Sequence, residues 1–171
     1  MVMIGSSISR LSPEVYALYD YSFSKEEKIP AANLKRAMEK GAVLNVFNES
    51  WRFIGFTFSF IDGDKMFLVY FATKPELRGK GFGSQILDEM RYMYPDKRIF
   101  LVTEIKDPEA PDYDLRVRRQ NYYLRNGCKE TGIRVLSDDV WFDTMFVKGE
   151  LTEQEMVDTI RLYEDIHNGR V

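Results

Sequence analysis

The stretch Arg78-Gly79-Lys80-Gly81-Phe82-Gly83-Ser84 places a glycine at every second position, with two cations and a hydroxyl around them, directly before an amphipathic run. Glycine is costly to order, so this density needs a physical reason. The N–H groups at a helix N-terminus point outward without intrahelical partners, and the helix dipole adds positive potential there. Glycines let a phosphate approach such a backbone closely, and Arg78 and Lys80 add charge. A P-loop needs G-x-x-x-x-G-K-[ST], and no window here fits it. A dinucleotide fingerprint needs G-x-G-x-x-G, and read from Gly79 the last position is Ser84. What remains is R-x-x-G-x-G between a buried strand and a helix, the pattern of a cradle for an anion such as a pyrophosphate. A glycine-rich turn that only joins two elements is the simpler alternative.

Composition removes several other chemistries. The 171 residues contain one histidine, His167, and one cysteine, Cys128. A Ser–His–Asp triad or a multi-histidine zinc site would have to be built on a residue near the C-terminal end, so no metal is expected. A lone cysteine forms no internal disulfide and fits a reducing, cytoplasmic compartment. With 44% hydrophobic and 30% charged residues the chain reads as a globular domain over 1–171, with no run apolar enough to span a bilayer. A net charge of −3 argues against a broad nucleic-acid surface.

The elements that must position the glycine loop follow from hydrophobic period. "MIGSSI" reads as a strand. A helix follows with Ser12 as N-cap and Pro13 at its first position, then a second helix ended by Gly41. "AVLNVF" is a strand. "WRFIGFTFSFIDGDKMFLVYFAT" is a hairpin turning at Asp62-Gly63. In its first arm Ile54, Phe56, Phe58 and Phe60 are expected on one buried face, and its second arm, Met66 to Ala72, is expected to be covered on both faces. After the loop, Phe82, Ile86, Leu87, Met90 and Met93 form one stripe of a helix. "RIFLVTEI" is a strand, "LRVRRQNYYLRNG" a helix, and "IRVL" and "VWFDTMFV" late strands. Thr152 and Glu155 spell a capping box for a last helix. The order β-α-α-β-β-β-α-β-α-β-β-α is that of a mixed α/β domain with helices on the faces of a hairpin-rich sheet.

The segment "YFATKPELRGKGFGSQIL" closely resembles the acetyl-CoA-binding motif of the GNAT N-acetyltransferase superfamily, a strand followed by V-x-P-x-x-R-G-x-G-x-G and a helix. "RRQNYYLRNGCKETG" resembles the later family signature A-x-x-F-Y-x-x-x-G-F, with Tyr122-Tyr123 for F-Y and Gly127 for the glycine. Thr73, Arg119 and Cys128 depart from the usual residues. The resemblance implies the GNAT fold, an α/β domain with a mostly antiparallel central sheet, and transfer of acetyl from acetyl-CoA to a primary amine of a small molecule or peptide. It implies that backbone groups of Phe71, Ala72 and Thr73 pair with pantetheine. It also implies that Arg78, Gly79, Lys80, Gly81, Phe82, Gly83 and Ser84 hold the pyrophosphate.

By the same resemblance Tyr123 occupies the position of the tyrosine general acid. The alternative is a core aromatic beside Tyr122. Glu104 ends an apolar strand that borders the active site in this superfamily. An unpaired buried carboxylate is expensive, so Glu104 is a candidate base or cation ligand, or else the partner of an arginine on the next helix. The acidic loop Lys106 to Asp114 is read as a rim near the acceptor mouth or as a solvated loop. "YDYSFSKEEKIP" is a candidate pocket wall. A non-catalytic acyl-CoA-binding module of the same fold and a partner-binding domain using the arginine-rich helix are the rival functions. A homodimer is compatible with all of these readings.

Overall fold

The computed structural model describes residues 3–171 and carries the element order expected from the sequence. Seven strands form one sheet: β1 (Met3–Ile8), β2 (Ala42–Glu49), β3 (Arg52–Asp62), β4 (Lys65–Thr73), β5 (Arg98–Glu104), β6 (Lys129–Ser137) and β7 (Val140–Lys148). Their order across the sheet is β1-β2-β3-β4-β5-β7-β6. All neighbours are antiparallel except β4 and β5. The helices are α1 (Pro13–Ser22), α2 (Ala31–Met38), α3 (Phe82–Met93), α4 (Tyr113–Arg125) and α5 (Glu153–His167), with a single 3₁₀ turn, Pro75–Leu77, between β4 and α3. Among the described residues no helix is long and apolar enough to cross a membrane.

Two apolar layers sandwich the sheet. On one face Ile86, Leu87 and Met90 of α3 are fully buried against Phe47, Met66, Leu68, Ile99 and Leu101, and Tyr122 and Tyr123 of α4 pack on the same cluster. On the other face α1, α2 and α5 contribute Val15, Leu34, Met156 and Ile160 against Phe56, Phe58, Phe60 and Phe67. The stripe expected for α3 is the one it buries, with Met93 at its margin.

Three local expectations are corrected. Ile54 does not share a face with Phe56: a bulge opposite Phe47 and Asn48 makes it the extra residue of β3 and turns it to the α3 side. The small polar residues between the β3 phenylalanines are not on an exposed face either. Thr57 and Ser59 are buried, and the Thr57 hydroxyl points at Met90 Sδ, 3.2 Å away. The hairpin turn is Gly63-Asp64, one residue later than Asp62-Gly63, with Asp62 paired to Lys65 and Gly63 at φ +61°.

The β4/β5 junction sets the geometry of the function-bearing region. Only Lys65, Met66 and Phe67 pair with Arg98, Ile99 and Phe100; beyond them the strands part. β4 bends because Val69 is bulged out between Leu68 and Tyr70, so that Val69 and Tyr70 both lean to the same face. β5 leaves β4 and runs on paired to β7 as far as Glu104. The coverage of β4 on both faces therefore holds to Leu68, after which Val69, Phe71 and Thr73 are partly exposed.

The closed end of this V is clamped by Arg98. Its guanidinium donates two hydrogen bonds to Asp64 of the β3–β4 turn and two to Glu155 in the first turn of α5. Glu155 also completes the capping box with Thr152. Bonding to Arg98, and secondarily to the Thr152 amide, holds the Glu155 carboxyl at about 2, against an ordinary 4.5. A carboxyl depressed in the folded state stabilises fully above its unfolded value, and that contribution is lost as pH falls toward the folded one. Glu155→Gln keeps a residue able to cap at this position but removes the charge. The melting temperature of wild type should exceed that of Glu155→Gln above pH 4.5, and calorimetric scans should show the difference closing as pH approaches 2.

Candidate active site

Where β4 and β5 part, a cleft of about 1460 Å³ opens through the sheet. Its walls are the end of β4 (Phe67 to Thr73), the glycine loop, the end of β5 (Leu101 to Ile105), one side of α4, the α1–α2 connection, the β6–β7 turn and the end of α5. A strand bonded on one side only leaves half of its backbone groups facing the other side. The free edge of β4 from Leu68 to Thr73 thus lines the cleft with N–H and C=O groups.

The glycine loop delivers α3 to this edge. Gly79 and Gly81 have φ +77° and +84°, a region that disfavours any Cβ, and open space lies where a side chain would project. Gly81 is the N-cap of α3, and no side chain caps the first turn. Phe82, Gly83 and Ser84 therefore begin the helix with N–H groups that have no intrahelical acceptor. Arg78, Gly79, Gly81, Phe82, Gly83 and Ser84 line the cleft; Lys80 is exposed and is not in its wall. Gly83 is needed for a different reason: a Cβ there would overlap the hydroxyl of Tyr122.

α4 forms the facing wall. Buried Gln120 ties it to the sheet, donating from one amide to the Glu104 carbonyl (3.0 Å) and to Asp143 (3.1 Å). Arg91 of α3 ties its other end, donating to the Asn126 and Val147 carbonyls. The rings of Tyr122 and Tyr123 meet edge to face, 5.5 Å between centroids. Burial pushes the Tyr122 phenol up to about 12, countered in part by its hydrogen bond with Ser84. Burial pushes Tyr123 higher still, with Arg119 opposing the shift. Both phenols are protonated at neutral pH, and both line the cleft.

Glu104 is at the cleft but its carboxylate is not free. Arg119 donates to Oε1 at 2.7 Å and Arg116 lies 3.0 Å from Oε2. The next helix places two guanidinium groups on the two oxygens, the ion-paired arrangement that the sequence offered beside a base or cation ligand. Arg116 also bonds Asp112, so α4 partly neutralises the acidic loop that precedes it. The connection after α1 does reach the cleft: Ser22, Phe23, Ser24, Glu26, Glu27 and Ile29 line it. Tyr70 donates to the Glu27 carbonyl at 2.6 Å, and the Tyr19 hydroxyl bridges the Ile29 N–H and C=O, which pins that segment.

Among the lining residues without a functional reading in the sequence are Asp138, Tyr163, Glu164 and His167. Tyr163 lies on the buried stripe of α5 with Met156 and Ile160, and in the sequence His167 is only an isolated residue near the C-terminal end. Nothing in their spacing ties them to the glycine loop; the fold does so.

Known structures share this architecture. A protein of Bacteroides thetaiotaomicron assigned to the GNAT family of acetyltransferases superposes with a TM-score of 0.70 over 91% of this chain and 88% of its own, at 21% identity. An aminoglycoside 6'-N-acetyltransferase complexed with coenzyme A gives 0.65 over 87% and 99%, at 15% identity. A GNAT-family acetyltransferase of Elizabethkingia anophelis with acetyl-CoA bound gives 0.56 over 84% and 94%, at 13% identity. No family model and no curated protein matches the sequence. The chain has the GNAT fold.

The contact between Gly83 and Tyr122 is testable by itself. Gly83→Ala should destabilise the protein by about 1–3 kcal/mol, the cost of overpacking a tight contact. In a Tyr122→Phe background the same change should cost less, because the obstructing hydroxyl is gone. A double-mutant cycle from urea unfolding measures the coupling, and additive effects would mean the loop accommodates the Cβ without meeting Tyr122.

Proposed function

We propose that the protein is an acetyl-CoA-dependent N-acetyltransferase acting on a primary amine of a small molecule or peptide. The single observation behind this reading is that the uncapped, glycine-built start of α3 and the unpaired edge of β4 open into one cleft, with two protonated phenols across it. An anion-binding helix end beside a free strand edge suits a ligand that has a pyrophosphate followed by a chain of amides. CoA is such a ligand, and two of the similar structures hold CoA or acetyl-CoA.

In this reading the pyrophosphate is received by the amides from Gly79 to Ser84, with Arg78 beside them. The pantetheine amides pair with backbone groups of Phe71 to Thr73. Lys80, lying outside the wall, contributes long-range attraction only. The acceptor approaches from the α1/α5 face, and its neutral amine attacks the thioester carbon. The adduct loses its ammonium proton to water, the C–S bond breaks, and Tyr123 gives its proton to the departing sulfur. Burial keeps the Tyr123 phenol protonated at neutral pH, so it has a proton to give; it also makes the phenol a weaker acid than a free thiol, so the transfer relies on the same poorly solvated surroundings raising the basicity of the sulfur formed beside it. Glu104 is read as a positioning residue that holds Arg116 and Arg119 at the mouth. Each of its oxygens keeps a lone pair beside the guanidinium contact, so Glu104 can also take up the amine proton, directly or through that water.

Calorimetric titration with acetyl-CoA tests the reading directly, and binding to wild type is expected. Gly81→Asp should abolish it, because a side chain at φ +84° is strained and its charge would repel phosphate. Tyr123→Phe should keep the acetyl-CoA affinity and lower kcat by about 10²- to 10⁴-fold, the usual worth of a positioned proton donor. Acetyl-CoA binding equal in wild type and Gly81→Asp would move the phosphate site elsewhere. Unchanged turnover in Tyr123→Phe would make that tyrosine structural.

A further inference from the structure

On the α1/α5 side of the cleft, polar atoms gather at the vertex of the V. Tyr163 stands edge to face on Phe67, 5.9 Å between centroids, and Phe67 is the last β4 residue paired to β5. His167, one helical turn on, has its ring 4.8 Å from that of Tyr163. Both residues line the cleft. Tyr163 exposes only 5% of its surface and His167 only 6%. Yet the Tyr163 hydroxyl and His167 Nδ1 have no hydrogen-bond partner among the described residues. Buried polar atoms are nearly always satisfied, and the exceptions call for a ligand, a water or a role.

Negative charge surrounds these atoms. Glu164, between them on α5, is half-buried and held by the Ser137 hydroxyl at the end of β6. Asp138 follows in the β6–β7 turn, and its charge is felt at Tyr163, Glu164 and His167. Asp138 and Asp139 both adopt left-handed backbone, φ +48° and +62°. A tight hairpin normally gives such positions to Asn-Gly or Asp-Gly, and two aspartates there keep carboxylates at the cost of strain. Burial lowers the His167 pKa, which leaves its ring neutral at physiological pH. Two cations also stand near: Arg36 donates to the His167 carbonyl and Arg170 to Asp165, and both add to the lowering at His167.

We propose that this cluster is a second cation subsite, in which the carboxylates of Glu164 and Asp138, backed by the buried, unpartnered Tyr163 hydroxyl and His167 Nδ1, receive the far ammonium of a diamine whose near amine is acetylated. The proposal rests on the acetyl-transfer reading above for its near amine only. An ammonium offers three donors and no acceptor, which matches a set of accepting atoms. Phe23, Trp141 and Phe142 on the same side give an apolar and aromatic wall for the methylene chain between the two amines.

The test compares the diamines from 1,3-diaminopropane to 1,7-diaminoheptane with n-alkylamines of the same lengths. Acetyl transfer and direct calorimetric binding are both read, in wild type and in Glu164→Gln, Asp138→Asn and the double variant, with circular dichroism confirming the fold. Wild type should prefer its best diamine over the matched monoamine by about 100-fold in kcat/KM, the scale of losing one partner of a desolvated charge pair. In the double variant the preference should fall to within about threefold, mainly through KM, with acetyl-CoA affinity kept. If wild type binds acetyl-CoA and acetylates both series equally, the subsite is overturned and acetyl transfer stands. If diamines bind wild type but not the double variant while acetyl-CoA does not bind at all, the subsite stands and the transfer reading falls. If neither ligand binds wild type, both fall.

Discussion

The structure depends on a parallel pairing that stops after three residues. Lys65, Met66 and Phe67 bond to Arg98, Ile99 and Phe100, and there the ladder ends. The bulge at Val69 turns β4 away, while β5 runs on to Glu104 bonded only through its opposite edge, to β7. A sheet that loses a ladder in its middle exposes backbone groups that water or a ligand must satisfy. The cleft, the free strand edge and the vertex at Phe67 are three consequences of that interruption.

An interruption inside a sheet needs strong closure at its base. Stacked Phe67 and Phe100 close it on the α1/α5 face, with ring planes 8° apart. Met66, Ile99 and the stripe of α3 close it on the other. Arg98 joins the β3–β4 turn to the first turn of α5 across the end of the V. These contacts let the strands diverge without the two halves of the sheet sliding, and they place α5 where Tyr163 and His167 sit over the vertex.

Much of this was legible in the sequence because hydrophobic period and capping chemistry are local. The order of strands and helices, the stripe of α3, the Thr152–Glu155 capping box and the glycine loop as a helix start all follow from short windows. The resemblance of "YFATKPELRGKGFGSQIL" to the GNAT motif pointed to the fold that the superpositions show. What was not legible is set by bulges and by tertiary pairing. No local pattern marks Ile54 or Val69 as an extra residue, so the alternation of β3 and the splay of β4 were misread or missed. The sequence left Glu104 open between a base and the partner of an arginine on the next helix, because Arg116 and Arg119 lie beyond a loop whose path it does not fix. Asp138, Tyr163, Glu164 and His167 come from a turn and a last helix that join the cleft only in the folded chain.

The distribution of charge along the cleft also escapes the net value of −3. The glycine loop contributes Arg78 and the unpaired N–H groups of α3, and Arg125 lines the cleft as well. The opposite side holds Glu26, Glu27, Asp138 and Glu164. Arg116 and Arg119 lie at the mouth, neutralised largely by Glu104 and Asp112. Such a division attracts an anion to one side and a cation to the other, in a site where the sheet itself separates them. The proposed transfer from a phosphate-bearing donor to an amine-bearing acceptor suits that separation: each ligand would be drawn to its own side of the sheet, and the two would meet in the gap between β4 and β5.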